Sequence, residues 1–178
     1  RFRDSMTKEW IYKKRRPEDT ERRAKLSAAC ALSPLFAQLL LDRGITTPEE
    51  ASNFFDPQLQ DLHDPFLMKD MEVAVRRLSC AMDNDERVLV YGDYDVDGTA
   101  AVSLICSFLG ELGVDVGLYI PDRYRERYGI SELGVRFAAE NDYTLVIALD
   151  CGIKAYEQIE LARSLGVDFI ICDHHFAD

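Results

Sequence analysis

From residue 87 onward, short apolar runs alternate with segments of helical period, and this alternation restricts the chain to few architectures. Residues 88–91, 114–120, 144–149 and 169–172 are brief, β-branched and nearly continuous in apolar character, the pattern of strands buried on both faces. Between them, 99–112 aligns Val102, Ile105, Leu109 and Leu112 on one helical face, and 131–141 and 154–165 carry further helical patterns. Repeated strand, helix, strand predicts βαβ units. The expectation is an α/β fold with a doubly wound, mainly parallel sheet, whose ligands sit at the carboxyl ends of the strands.

A small helical region is expected ahead of the sheet, over residues 17–84. Ser33 and Pro34 supply an N-cap and a first-turn proline, Leu35, Leu39 and Leu40 form an apolar stripe, and Gly44 offers a stop. Thr47-Pro48-Glu49-Glu50 reads as a capping box opening a short helix through Phe54 and Phe55. A third helix is expected over 68–82, with Met71, Val75 and Leu78 on one face. Residues 1–16 read as a basic tail, of which 1–5 precede Met6 and enter no expectation about the fold. Lys13-Lys14-Arg15-Arg16 could hold phosphates, but without interleaved aromatic residues it reads as a solvated tail. The expected division is a tail (1–16), a helical region (17–84) and an α/β core (85–178).

Composition removes whole classes. With 47% apolar and 30% charged residues, the chain is neither disordered nor collagen-like. No apolar stretch approaches the roughly 20 residues that cross a bilayer, and no secretory signal is visible. No membrane partner is expected, and the expected location is cytoplasmic. The five cysteines, Cys30, Cys80, Cys106, Cys151 and Cys172, are odd in number and lack C-x-x-C spacing; they read as reduced thiols acting as small core residues. The net charge of -11 is unevenly spread: residues 1–25 hold ten basic against five acidic side chains, so the acidity belongs to the body. Cations bound to an acidic cluster reverse its local field, so the total charge does not exclude a nucleic-acid partner.

Three of the strands run into polar groups of one chemical kind. They are Gly92-Asp93-Tyr94-Asp95-Val96-Asp97-Gly98-Thr99, Asp150-Cys151-Gly152 and Asp173-His174-His175. On neighbouring strands these would bring four or five carboxylates and two imidazoles to one edge, where divalent cations relieve the mutual repulsion. Aspartate oxygens mixed with one or two imidazoles suit Mn²⁺, Mg²⁺ or Zn²⁺. A shared carboxylate such as Asp97 or Asp150 could bridge two ions, and a pair about 4 Å apart would clamp a phosphoryl group and activate water. An EF-hand loop starting at Asp93 would need Glu at its twelfth position, where Leu104 stands. Asp95-Val96-Asp97-Gly98-Thr99 also matches the nucleophile loop of haloacid-dehalogenase-type phosphatases, but there the strand runs straight into the first Asp, and here Gly92-Asp93-Tyr94 intervene. Adjacent His174 and His175 would point to opposite faces of a continuing strand, so at most one would enter the pocket.

Jointly and in this order, the three segments resemble the motifs of the DHH phosphoesterase family, and within it the RecJ group of single-strand-specific 5′ to 3′ DNA exonucleases. Val90-Tyr91-Gly92-Asp93-Tyr94-Asp95-Val96-Asp97-Gly98-Thr99 is similar to the first motif, Ala148-Leu149-Asp150-Cys151-Gly152 to the second, and Cys172-Asp173-His174-His175 to the third. Arg43-Gly44-Ile45, Asp64-Pro65-Phe66-Leu67-Met68-Lys69-Asp70-Met71 and Tyr119-Ile120-Pro121-Asp122-Arg123 resemble the same group. The resemblance implies that Asp95, Asp97, Asp150 and His174 ligate two divalent metal ions, Mn²⁺ or Mg²⁺. Asp93 would be a further ligand or an acceptor behind the ligands, Asp173 would orient a neighbouring group, and His175 would face the scissile phosphate. It also implies a glycine-bearing substrate loop after the second strand, where Arg123, Tyr124, Arg125, Arg127 and Tyr128 would contact phosphates and stack on bases of single-stranded DNA. Arg127 stands where a glycine is expected. A further metal-binding Asp, a DHHA1-type domain and an OB-fold are implied beyond residue 178. The expected activity is metal-dependent phosphodiester hydrolysis in DNA repair and recombination. The alternatives are another DHH member acting on short oligonucleotides or cyclic dinucleotides, and a non-catalytic DHH-type replication scaffold; intact Asp95, Asp97, Asp150 and His174 favour an enzyme.

Overall fold

Apolar burial on both faces of one sheet organises the part of the chain that carries the motifs. The computed structural model describes residues 17–177, which fall into two compact units, one ending at Asp64 and one beginning at Pro65. The basic tail, including Lys13 to Arg16, lies outside the described residues. The first unit contains α1 (Pro17–Ala29), α2 (Pro34–Asp42) and α3 (Pro48–Phe55), packed around Leu26, Ala37, Leu40 and Ala51. Its sequence signals act as expected: Ser33 caps α2, and Thr47 and Glu50 form a reciprocal capping box on α3. Among the described residues no single helix is long and apolar enough to cross a membrane.

The second unit holds α4 (Met71–Asp83), β1 (Arg87–Gly92), α5 (Val96–Glu111), β2 (Val116–Tyr119), α6 (Glu132–Glu140), β3 (Tyr143–Leu149), α7 (Tyr156–Ser164) and β4 (Asp168–Cys172). The sheet order is β2-β1-β3-β4, and every pairing is parallel. Alternation along the strands splits the core in two. Leu89, Tyr91, Val146 and Ala148 meet Val135, Ala138 and Ala162 of α6 and α7; Val88, Val90, Leu145 and Ile147 meet Ala81, Val102 and Leu109 of α4 and α5. This is the doubly wound α/β architecture expected from the sequence.

Helix α4 and the cysteines depart from expectation. Sequence pattern groups helix α4 with the preceding helices, but its Leu78 and Ala81 join the core under β1 and β3. An amphipathic stripe is satisfied by whichever apolar face is adjacent, and here that face is the sheet. Arg77 fastens the same helix to the sheet, with Nε donating to Asp168 Oδ2 at 2.7 Å and Nη2 to Glu86 Oε2 at 2.8 Å. The cysteines are not uniformly core residues: Cys151 is buried, whereas Cys80 and Cys172 are exposed. Cys172 is the last residue of β4, which lies at the sheet's edge in this order.

Helix α5 begins three residues earlier than its apolar period indicates. Asp95 is its N-cap, its Oδ1 accepting from the amides of Asp97 (3.0 Å) and Gly98 (3.1 Å). Gly98 lets the first turn lie directly on the chain leaving β1, because a Cβ there would meet Asp93 O at 2.5 Å and Asp93 N at 2.6 Å. Gly110, near the other end of the helix, has nothing within 4 Å of that position. Gly98→Ala is expected to destabilise the protein by about 1–3 kcal/mol through overpacking against backbone. Gly110→Ala should stabilise it by about 0.5–1 kcal/mol through helix propensity. Paired urea melts check both signs.

Candidate metal and active site

The order β2-β1-β3-β4 puts the ends of β1, β3 and β4 side by side, so the three acidic segments meet at the carboxyl edge of the sheet, beside the β1/β3 point where the strand order reverses. Asp93, one residue past β1, is only 2% exposed, and its Oδ1 has no hydrogen-bond partner. Burial pushes its carboxyl above the ordinary aspartate value, and the negative charges of Asp95 and Asp150 push it further, against the pull of the Tyr94 amide and Arg123. Asp95 caps α5, and Asp97 is exposed on that helix's first turn. Asp150 follows β3 in a left-handed conformation (φ +60°), its amide donating to the Cys172 carbonyl of β4 at 2.8 Å.

Asp150 Oδ1 is the second buried carboxylate oxygen without a hydrogen bond, although His174 Nε2 stands 3.1 Å away. A buried acceptor left unpaired costs about 1–3 kcal/mol, and a cation shared by the carboxylate and the imidazole removes that cost. Ligand atoms of Asp150, His174 and His175 lie within 4.8 Å of one another. Asp93, Asp95 and Asp97 complete no group of that tightness among the described residues. The tight group offers one carboxylate and two imidazoles, donors that suit Mn²⁺ or Zn²⁺, and the neighbouring Asp93, Asp95 and Asp97 would have to contribute for the oxygen-rich set that Mg²⁺ prefers.

The two histidines do not point apart. Strand β4 ends at Cys172, and beyond it the chain bends because Asp173 Oδ1 accepts the His175 amide at 3.1 Å. The His174 and His175 rings therefore lie 4.6 Å apart, on the same side as Asp150. Asp173 is itself held firmly, Oδ2 accepting from the Ile153 amide at 3.0 Å and Oδ1 lying 2.6 Å from His175 Nδ1. Burial opposes ionisation of Asp173, but these bonds outweigh it and keep the carboxyl below its ordinary value; the same bond raises the pKa of His175. An ionised carboxylate only accepts, so Nδ1 carries the proton and Nε2 is the free ring nitrogen.

The loop after β2 separates into anchors and exposed groups. Glu126 accepts from the Asp122 amide at 2.7 Å and the Tyr119 hydroxyl at 2.8 Å, and also bonds the Ser131 hydroxyl. Tyr91 of β1 donates to the Gly129 carbonyl at 2.9 Å and accepts from the Ser131 amide at 3.1 Å. Sequence reasoning missed both residues, Glu126 because it sits among basic neighbours and Tyr91 because it reads as strand core; the available signal was a lone acid inside a basic loop. Arg127 occupies the left-handed region (φ +68°), the conformation for which a glycine is expected. Arg123, Tyr124, Arg125 and Arg127 are exposed or half-exposed, with the Arg123 guanidinium 5.2 Å from the centroid of the Tyr94 ring. Tyr128 turns the other way, its hydroxyl donating to the Asp150 carbonyl. A cleft of about 540 Å³ opens beside His175, walled in part by Tyr128, Ile130, Ile153 and Phe176.

Both the sequence and the fold have counterparts in known proteins. The chain belongs to the DHH family: residues 87–178 match the DHH family, N-terminal domain. It is 39% identical over 157 residues to the single-stranded-DNA-specific exonuclease RecJ of Bacillus subtilis, covering 88% of this chain and 20% of that protein. Against RecJ of Thermus thermophilus the identity is 31% over 151 residues, covering 85% and 21% respectively. The fold is similar to a crystal structure of the Thermus thermophilus RecJ in complex with Mn²⁺, at TM-score 0.68 and 26% identity, over 89% of this chain and 22% of that one. A manganese-bound exonuclease RecJ structure aligns at TM-score 0.58 and 32% identity, over 62% of this chain and 29% of that one. The chain spans about a fifth of the length of the curated relatives it matches.

Because Glu126 joins three donors, Glu126→Ala is expected to lower stability by about 1–3 kcal/mol and to speed amide exchange at Asp122 and Ser131. Exchange rates unchanged from the parent protein would show that Tyr91 and Asp122, whose Oδ1 accepts from the Tyr124 and Arg125 amides, hold the loop without Glu126.

Proposed function

We infer that this chain is the catalytic core of a metal-dependent phosphodiesterase of RecJ type, which removes nucleotides from single-stranded DNA in the 5′ to 3′ direction. The observation that carries the reading is the pair of buried carboxylate oxygens of Asp93 and Asp150 without a hydrogen bond, just past the ends of the adjacent strands β1 and β3, with His174 alongside. The metal-bound RecJ relatives support it.

Asp95, Asp97, Asp150 and His174 would hold two divalent ions, with Asp93 as a further ligand or the acceptor behind them. Bound there, such ions supply charge neutralisation at the phosphoryl group and lower the pKa of a water. Asp173 fixes the Nδ1 side of His175 and raises the pKa of the ring, so that a protonated Nε2 would donate to the scissile phosphate as that group gains negative charge. Arg123, Tyr124, Arg125 and Arg127 would take the strand through phosphate contacts and stacking, an affinity that declines steeply with salt. Repair and recombination are the processes in which such an activity acts, and the cytoplasm is its proposed location.

Because the chain spans about a fifth of its RecJ relatives, the test uses a protein of their length that carries these residues: hydrolysis of single-stranded oligonucleotides in Mn²⁺, lost in Asp150→Asn, is the expected result, with little or none from residues 1–178 alone, and cleavage of dinucleotides alone would assign the protein to the short-oligonucleotide branch of the family. The two histidines separate the roles further. His174→Ala should weaken Mn²⁺ binding in calorimetry and recover activity in excess metal, by mass action. His175→Ala should retain Mn²⁺ affinity yet lose roughly 10²-fold or more in turnover, without rescue. Identical Mn²⁺ titrations for the two variants would reverse or erase the assignment.

A further inference from the structure

Tyr128 belongs to the loop expected to stack on bases, but its hydroxyl is committed elsewhere. It donates to the Asp150 carbonyl at 3.1 Å and lies 3.3 Å from His175 Nδ1. Its ring meets the imidazole edge-on, with centroids 5.9 Å apart and planes at 78°. A phenol titrates at roughly 10, so the hydroxyl keeps its proton at neutral pH and is available as a donor. The ring itself stays half-exposed, at 52%, and its neighbours Arg127 and Gly129 both have positive φ, at +68° and +92°.

Tyr128 supplies one of the two hydrogen bonds that flank Asp150. Aspartate enters the left-handed region more readily than most residues, and at φ +60° these bonds fix which way its peptide groups face. On the amide side the restraint is the bond to the Cys172 carbonyl; on the carbonyl side it is the Tyr128 hydroxyl. The same oxygen flanks His175 Nδ1, whose proton goes chiefly to Asp173 Oδ1 at 2.6 Å. One hydroxyl thus touches the backbone of a candidate metal ligand and the ring of the candidate phosphate-facing histidine.

We propose that Tyr128 is a positioning residue, whose hydroxyl locks the left-handed backbone of Asp150 and the ring plane of His175 so that the two keep a fixed angle to each other. The proposal rests on the phosphodiesterase reading for its catalytic consequence, but not for its geometry. Stacking on bases then falls to Tyr124, which is 93% exposed.

Tyr128→Phe keeps the ring and removes only the hydroxyl. The expected result is a roughly tenfold lower kcat on single-stranded DNA with KM unchanged, the signature of misplaced reacting groups rather than lost substrate contact. In metal-free protein, the His175 Nδ1 proton, followed by nitrogen-edited NMR, should exchange with water roughly tenfold faster than in the parent. Unchanged exchange in Tyr128→Phe overturns the proposal, as does full kcat in Tyr128→Phe combined with a raised KM in Tyr128→Leu, the pattern of a stacking residue. The NMR measurement involves no substrate, so a parent protein that hydrolyses nothing would defeat the phosphodiesterase reading while Tyr128 is still judged by the exchange rate.

Discussion

Two buried carboxylate oxygens with no hydrogen-bond partner, one on Asp93 and one on Asp150, are the constraint around which the remaining structure is arranged. Charged or partly charged oxygens in that position are unfavourable in the protein alone, through lost solvation and through mutual repulsion. They persist because strongly packed elements impose them. Strands β1 and β3 are buried almost throughout, and Gly98 seats the first turn of α5 on the Asp93 backbone. The apolar core on either side of the sheet thus holds a polar edge in a state that only a counter-charge completes, as expected of a site built before its ligand arrives.

The groups around that edge are graded by how firmly they are held. Asp173 is tied by two amides and an imidazole, His175 by Asp173, and the Asp150 backbone by bonds to β4 and to Tyr128. His174 is mostly exposed, with the Asp150 carboxylate as its nearby charged group. A metal ligand can tolerate that freedom, since coordination itself orders it, whereas a group meeting a transition state benefits from being fixed beforehand. The contrast between the adjacent histidines follows from their partners, and not from strand alternation.

The loop between β2 and α6 shows how a basic, exposed segment is made rigid enough to present its charges. Glu126 and Tyr91 occupy its backbone donors and acceptors from beneath, which leaves Arg123, Tyr124, Arg125 and Arg127 at the surface. Arg127 in the left-handed region meets the conformational demand expected of a glycine, at a cost of roughly 1–2 kcal/mol relative to a right-handed residue. The anchors are what make that conformation sustainable.

Much of this was determined by local sequence. The two periods, 2 for strands and 3.6 for helices, are set within a few residues, so the α/β class, the helices and the capping of α2 and α3 could be read directly. The acidic segments could likewise be located at strand ends, and their types pointed to divalent cations. What local pattern does not encode is which strands are neighbours, and only the order β2-β1-β3-β4 brings Asp93, Asp150 and Asp173 to one edge. The partner of α4, the bend that turns His174 and His175 to the same side, and the inward turn of Tyr128 onto Asp150 are decided by the tertiary structure. They depend on burial and hydrogen bonding in the assembled core, much of it between residues tens of positions apart, which no window of sequence contains.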